Sequence, residues 1–176
     1  MKSSIIYKNR VKFICAILEV AIILMAVTGC GANNSSMSAK DELVYFLNEQ
    51  LPEITDKEIE AMNSYNSYFE NNKELDTEAF KKELSENIIP AYNEFMNELV
   101  SIEIQNDEVK ELYDTYYTSM ELQYEAINKV YEALTEGKDD YRDEAEELLQ
   151  HSSEKYEEYN EMIKKLAAEY NISITN

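Results

Sequence analysis

The side chains able to do chemistry are few, and their placement excludes more than it allows. The 176-residue chain has two cysteines and one histidine. Both cysteines, Cys15 and Cys30, lie near the N-terminus, so the rest of the chain has neither a disulfide nor a thiolate metal site. His151 stands alone, and a zinc ion there would need carboxylates for its other protein ligands. No metal site is expected. Of three glycines, Gly29 and Gly31 flank Cys30 and only Gly137 lies further on. That leaves no glycine-rich loop to cradle phosphate and no dinucleotide fingerprint. There is no nucleophile elbow or Ser/His/Asp order, so no catalytic residue is nominated, no cofactor is expected, and the chain reads as a non-enzyme. The acidic run Asp139, Asp140, Asp143, Glu144, Glu146 and Glu147 lacks the alternating ligands and central glycine of a calcium loop. It reads as acids favoured by a helix N-terminus.

Two features remain. Tyr117, Tyr124 and Tyr131 recur every seventh residue, which on a helix places them about 10 Å apart along one edge. They are either core-edge packing with the hydroxyls in water, or an aromatic edge for a glycan or a partner helix. The second feature is Cys30, preceded by Val27, Thr28 and Gly29. The residues just before it are small, and its thiol is a nucleophile. Upstream, Lys2, Lys8, Arg10 and Lys12 form a positive region before the mostly apolar residues 13–27. That run suits a secretory leader and is short of the roughly 20 residues a span requires. Glu19 interrupts it, leaving 20–27 as the clean stretch.

Val27-Thr28-Gly29-Cys30 resembles the lipobox of bacterial lipoproteins. The resemblance implies cleavage before Cys30 and a cysteine carrying two acyl chains, which anchor stably where one chain binds only marginally. It implies a signal peptide over 1–29, a lipidated cysteine with a flexible tether over 30–37, and a folded domain over 38–176, held on the extracytoplasmic face of the cell membrane. An uncleaved signal anchor would give the same membrane face without the lipid. With its Lys/Glu/Tyr-rich remainder, the chain resembles the small helical lipoproteins of low-GC Gram-positive bacteria.

The net charge is −20, and the leader holds four of the basic residues, so the remainder is more acidic still. Such a surface is repelled by nucleic-acid phosphates and by anionic headgroups, and nucleic acid is excluded as a partner.

The elements that position these residues read as helices. Strand-like alternation is absent, while Glu, Lys, Leu and Ala, all good helix formers, abound. Helix 1 opens at a capping box, Ser38 to Asp41, and carries Leu43, Phe46, Leu47 and Leu51. Pro52 interrupts it. A second box, Thr55 to Glu58, restarts it with Ile59, Met62, Tyr65 and Phe69, so helix 1 is expected to be kinked or split. Helix 2 starts at Asp76, shows a stripe from Phe80 to Ile102, and bends at Pro90. Helix 3 follows Asn106, with Val109, Leu112, Tyr116, Met120, Ile127 and Val130 on one face, and ends at Gly137. Helix 4 starts at Asp139 or Asp140, carries Ala145, Ser152, Tyr159, Ile163 and Leu166, and ends at Asn171. Each segment spans about 27–31 residues, or roughly 40–47 Å.

Matched lengths and short connections predict an all-α, antiparallel up-down-up-down four-helix bundle with kinked first and second helices. The alternative is a three-helix bundle of helices 2–4 with a broken helix 1 across it. No internal repeat stands out. Two prolines at similar height could open a mid-bundle gap, or each helix could bend around a closed core. The leading functional expectation is a non-catalytic interaction module for an envelope protein. Behind it stands a binder of cell-wall glycan or a small ligand, using the tyrosine edge or that gap.

Overall fold

The computed structural model describes residues 37–71, 76–138 and 140–174, and among these the chain folds as a four-helix bundle without strands. Helix α1 (39–71) joins Ala39–Tyr45, a π turn Phe46–Gln50 and Leu51–Asn71. Helix α2 (77–99) joins Thr77–Glu83, a π turn Leu84–Ile88 and Ile89–Leu99. Helix α3 is Asp107–Glu136, and α4 is Asp140–Glu169.

Side chains set the helix boundaries. Ser38 Oγ accepts the Asp41 N–H at 3.2 Å and donates to the Asp41 carboxylate at 2.6 Å. Asp76 accepts the Ala79 N–H at 3.1 Å, and Asn106 accepts those of Glu108 and Val109. These contacts satisfy donors that a helix start leaves orphaned. At the other ends, Gly137 takes a left-handed φ of 67° and Asn171 one of 54°. The Ile172 N–H then folds back onto the Ala167 carbonyl at 2.8 Å, and Ile172 is buried. This is the geometry of a Schellman cap.

The prolines do not split their helices. A proline in a regular helix collides with the carbonyl four residues back and supplies no N–H. Here a widened turn precedes each one: the Leu51 N–H bonds the Phe46 carbonyl, and the Ile89 N–H bonds the Leu84 carbonyl. Both Pro52 and Pro90 lie on the solvent face. The layout from Ser38 to Pro52 therefore recurs from Asp76 to Pro90: a cap, seven α residues, five π residues, then proline at the second position. The repetition is one of backbone form, which is why residue identities do not display it.

The wide turn also keeps the apolar stripe on target. Phe80, Leu84, Ile88 and Tyr92 are fully buried at steps of four. In a regular helix each such step would rotate the stripe by about 40°, and the π turn takes part of that rotation back. The core-facing residues of both turns, Phe46, Leu47, Leu84 and Ile88, are buried, so the turns are packed.

Two expectations for helix 1 are corrected. Thr55 does not cap a new helix. Its hydroxyl donates to the Pro52 carbonyl at 3.4 Å and the helix runs through. Glu58 does not reach back to a cap but faces the interior, while Ile59 is only partly buried. α1 thus lies within the bundle and not across it, with Met62 and Tyr65 fully buried.

Helix α3 packs on the other three and most extensively on α4. That seam is lined by small residues: Ser119, Ala126 and Ala133 on α3, facing Ala145 and Ser152 on α4. The backbones come close enough for a reciprocal pair of bonds. Ser119 Oγ donates to the Ser152 carbonyl and Ser152 Oγ donates to the Ser119 carbonyl, each at 2.8 Å.

Up-down-up-down order gathers the start of α1, the 100–106 connection and the chain's C-terminal end at one end of the bundle. Lys40 Nζ donates to the Tyr170 carbonyl at 3.1 Å, and Tyr170 pairs through its hydroxyl with Glu108. The buried Glu42 carboxylate accepts the backbone N–H groups of Gln105 and Asn106 at 2.8 and 2.7 Å. The turn at Gly137 lies at the opposite end.

Candidate functional site

Cys30 and the leader lie outside the described residues. Among those that are described, no helix is long and apolar enough to cross a membrane.

The heptad spacing of the three tyrosines places all three on one edge of α3, partly buried against the core. Two of them lie along the seam with α2. Tyr124 stacks on Tyr92 of α2, with ring centroids 5.6 Å apart and planes 10° apart, and its hydroxyl accepts from Asn93 at 2.9 Å. Tyr117 leans on Tyr113 at 6.2 Å, and Tyr113 donates its hydroxyl to the Leu99 carbonyl of α2. Burial raises the Tyr117 phenol, and the neighbouring Glu121 carboxylate acts in the same direction. One face of Tyr124 and part of Tyr117 are therefore already used within the bundle, and Tyr131 is partly buried against the core.

A shallow open groove of about 280 Å³ lies between α3 and α4, lined by Asp107, Lys110, Glu111, Asp114, Thr115, Thr118 and Lys155. Its two lysines are already engaged. Lys110 pairs with Asp114 at 2.7 Å, and Lys155 pairs with Glu158. His151 is exposed on α4, and no group of three or more His, Cys, Asp or Glu gathers to hold a metal among the described residues.

The most unusual chemistry lies inside. A polar layer crosses the bundle, to which every helix contributes: Glu58 from α1, Tyr92 from α2, Ser119 and Gln123 from α3, and Ser152 from α4. Tyr92 donates its hydroxyl to Gln123 Oε1 at 2.9 Å and lies 3.3 Å from the Met120 carbonyl. Gln123 turns its amide nitrogen toward Met62 Sδ at 3.6 Å, a weak acceptor. The Tyr116 and Tyr159 rings meet at 4.9 Å. Glu58 is 3% exposed. Burial alone pushes its carboxyl up to about 7, because no cation or hydrogen bond among the described residues compensates for lost hydration. Burial likewise pushes the Tyr92 and Tyr116 hydroxyls well above the ordinary phenol range, and the nearby Glu58 pushes both further the same way. Both therefore remain neutral at physiological pH.

The sequence hides this layer. Glu58 fits a capping box, and Gln123 is a polar residue set between Met120 and Ile127 of the α3 stripe. The available signal is spacing: Leu51, Ile54, Glu58, Met62 and Tyr65 advance by threes and fours, so Glu58 occupies a core position in an apolar stripe.

No family model, curated protein or solved structure matches the chain.

Proposed function

We propose that the chain is a lipid-anchored, extracytoplasmic interaction module of a bacterial cell envelope, held to the membrane through acyl chains on Cys30 and acting without catalysis. The observation that carries this reading is Val27-Thr28-Gly29-Cys30 behind a basic and apolar leader. The bundle is compatible with such a tether. The described chain begins at the end that also holds the 100–106 connection and the C-terminal residues, so a tether entering there leaves the Gly137 end and the long flanks facing outward. Few large apolar side chains are exposed among the described residues, namely Met37, Tyr45 and Val100. Recognition would thus rest on the acidic flanks, which favour a basic protein surface and disfavour nucleic acid and anionic wall polymers.

The test is cross-linking in cells with the full-length protein, followed by mass spectrometry, with Cys30→Ala as control. The reading expects one envelope protein to be recovered, and lost when Cys30 is replaced. Recovery of no specific protein, with retention on cell-wall glycan that Tyr124→Ala abolishes, would replace it with glycan binding at the tyrosine edge.

A further inference from the structure

The polar layer plays no part in tethering or in the acidic surface, yet it places an ionisable group where the bundle can least accommodate a charge. Glu58 lies between α1, α2 and α3. Tyr92 faces it from α2 and Tyr116 from α3, with Tyr159 and Tyr156 of α4 behind Tyr116. All four are phenols and none is a cation. Among the described residues, no lysine, arginine or histidine forms an ion pair with it, and no hydrogen bond reaches its carboxyl. The nearest cation on α1, Lys57, is turned outward to Glu94 and Glu98.

We propose that Glu58 is a proton-operated latch: protonated, it lets the α1–α2 hairpin close on α3, and ionised, it opens the layer to water and loosens that seam. The donors an ionised carboxylate would recruit are already in the layer. They are the Tyr92 hydroxyl, now held by Gln123, and the Gln123 amide, now spent on a thioether. Recruiting the hydroxyl breaks the bond that joins α2 to α3 at this level, and recruiting the amide breaks the contact that joins α3 to Met62 of α1. Buried charges that lack a partner neutralise or draw in water, and this layer provides for both states. Burial places the crossover near 7, within the range an extracytoplasmic domain meets, whereas an ordinary glutamate titrates near 4.5.

The test uses the full-length chain in mild detergent. Carboxyl-carbon NMR follows Glu58 directly, and amide exchange, corrected for its intrinsic pH dependence, follows the segments 51–65, 88–99 and 113–127. The proposal expects Glu58 to titrate about two pH units or more above the surface glutamates. It also expects exchange in those segments to rise by about tenfold or more between acidic and mildly alkaline pH, since each pH unit changes the ratio of ionised to protonated carboxyl by about a factor of ten. Glu58→Gln and Glu58→Met should both abolish the rise. A Glu58 signal that titrates with the surface carboxylates overturns the proposal, as does a rise that persists in either variant. Because the wild-type titration decides alone, a variant that fails to fold leaves the test intact.

Discussion

Replacing Glu42 should show how firmly the end of the bundle beside the 100–106 connection is held. Glu42 is buried on the first turns of α1, and its two oxygens accept separate backbone N–H groups, from Gln105 at 2.8 Å and Asn106 at 2.7 Å. Asn106 is itself the cap of α3, so this one carboxylate ties the first turns of α1 to the start of α3. Hydrogen bonds to a charged acceptor contribute about 1.5–3 kcal/mol each. The 101–106 connection lies at the surface, so water can reach the freed N–H groups once the side chain is gone. The loss for Glu42→Ala should therefore fall near the low end for two bonds, about 3 kcal/mol. Glu42→Gln keeps one oxygen and turns an amide donor toward a backbone donor, so it should cost about 2 kcal/mol. Urea unfolding at neutral pH, followed by helical circular dichroism, measures both. Amide exchange at Gln105 and Asn106 should accelerate well before the α3–α4 seam is affected. If Glu42→Ala stays within about 0.5 kcal/mol of wild type, the range of an ordinary surface change, the clasp contributes nothing to the fold and this reasoning is refuted.

Other perturbations test other parts of the molecule. Glu58 has its folded-state carboxyl raised to about 7, against 4.5 for an unperturbed glutamate. The folded state therefore binds the proton more tightly, so the Glu58 contribution to stability is greatest below pH 4.5, falls as pH rises through the interval, and levels off above 7. The loss should be about 3 kcal/mol, since each pH unit between the two values corresponds to about 1.4 kcal/mol. Urea midpoints for Glu58→Gln should lack this component, and identical slopes in both proteins would refute it. At the α3–α4 seam, Ser119→Leu should cost about 3 kcal/mol or more, by forcing a large side chain between close backbones and breaking the Ser119–Ser152 exchange. Ser119→Ala should cost only about 1 kcal/mol. Thermal melts that rank the two variants the other way would contradict a close seam.

Local chemistry explains which parts of the fold were legible in the sequence. Ser38, Asp76, Asn106, Gly137 and Asn171 mark helix ends by the hydrogen bonds or the φ each can provide, and all five end or begin a helix in the structure. The α2 and α3 stripes were legible because buried positions there are mostly large and apolar. The π turns were not, because proline signals trouble for a helix without saying whether the chain will break, bend or widen. Nor was the polar layer, because Glu58 and Gln123 are polar types whose sign of burial is stripe spacing alone, and a capping box offered Glu58 a surface role. The small-residue seam was half visible. Ala145 and Ser152 fit the α4 stripe, whereas Ser119 and Ala126 become core only because a second backbone lies against them. The tyrosine edge does lie on α3, but pattern alone could not tell that Tyr124 would stack on Tyr92.

The lipid anchor is the premise on which the functional account rests, and it can be weighed directly. Mass spectrometry of the N-terminal peptide of the protein, purified from membranes of a lipoprotein-processing bacterium, reads both the cleavage site and the modification. The account predicts a chain that starts at Cys30 and carries a diacylglyceryl group on its sulfur, with Cys30→Ala neither lipidated nor cleaved at that bond. A chain that retains the leader with an unmodified Cys30 thiol, or that starts elsewhere without lipid, would contradict it.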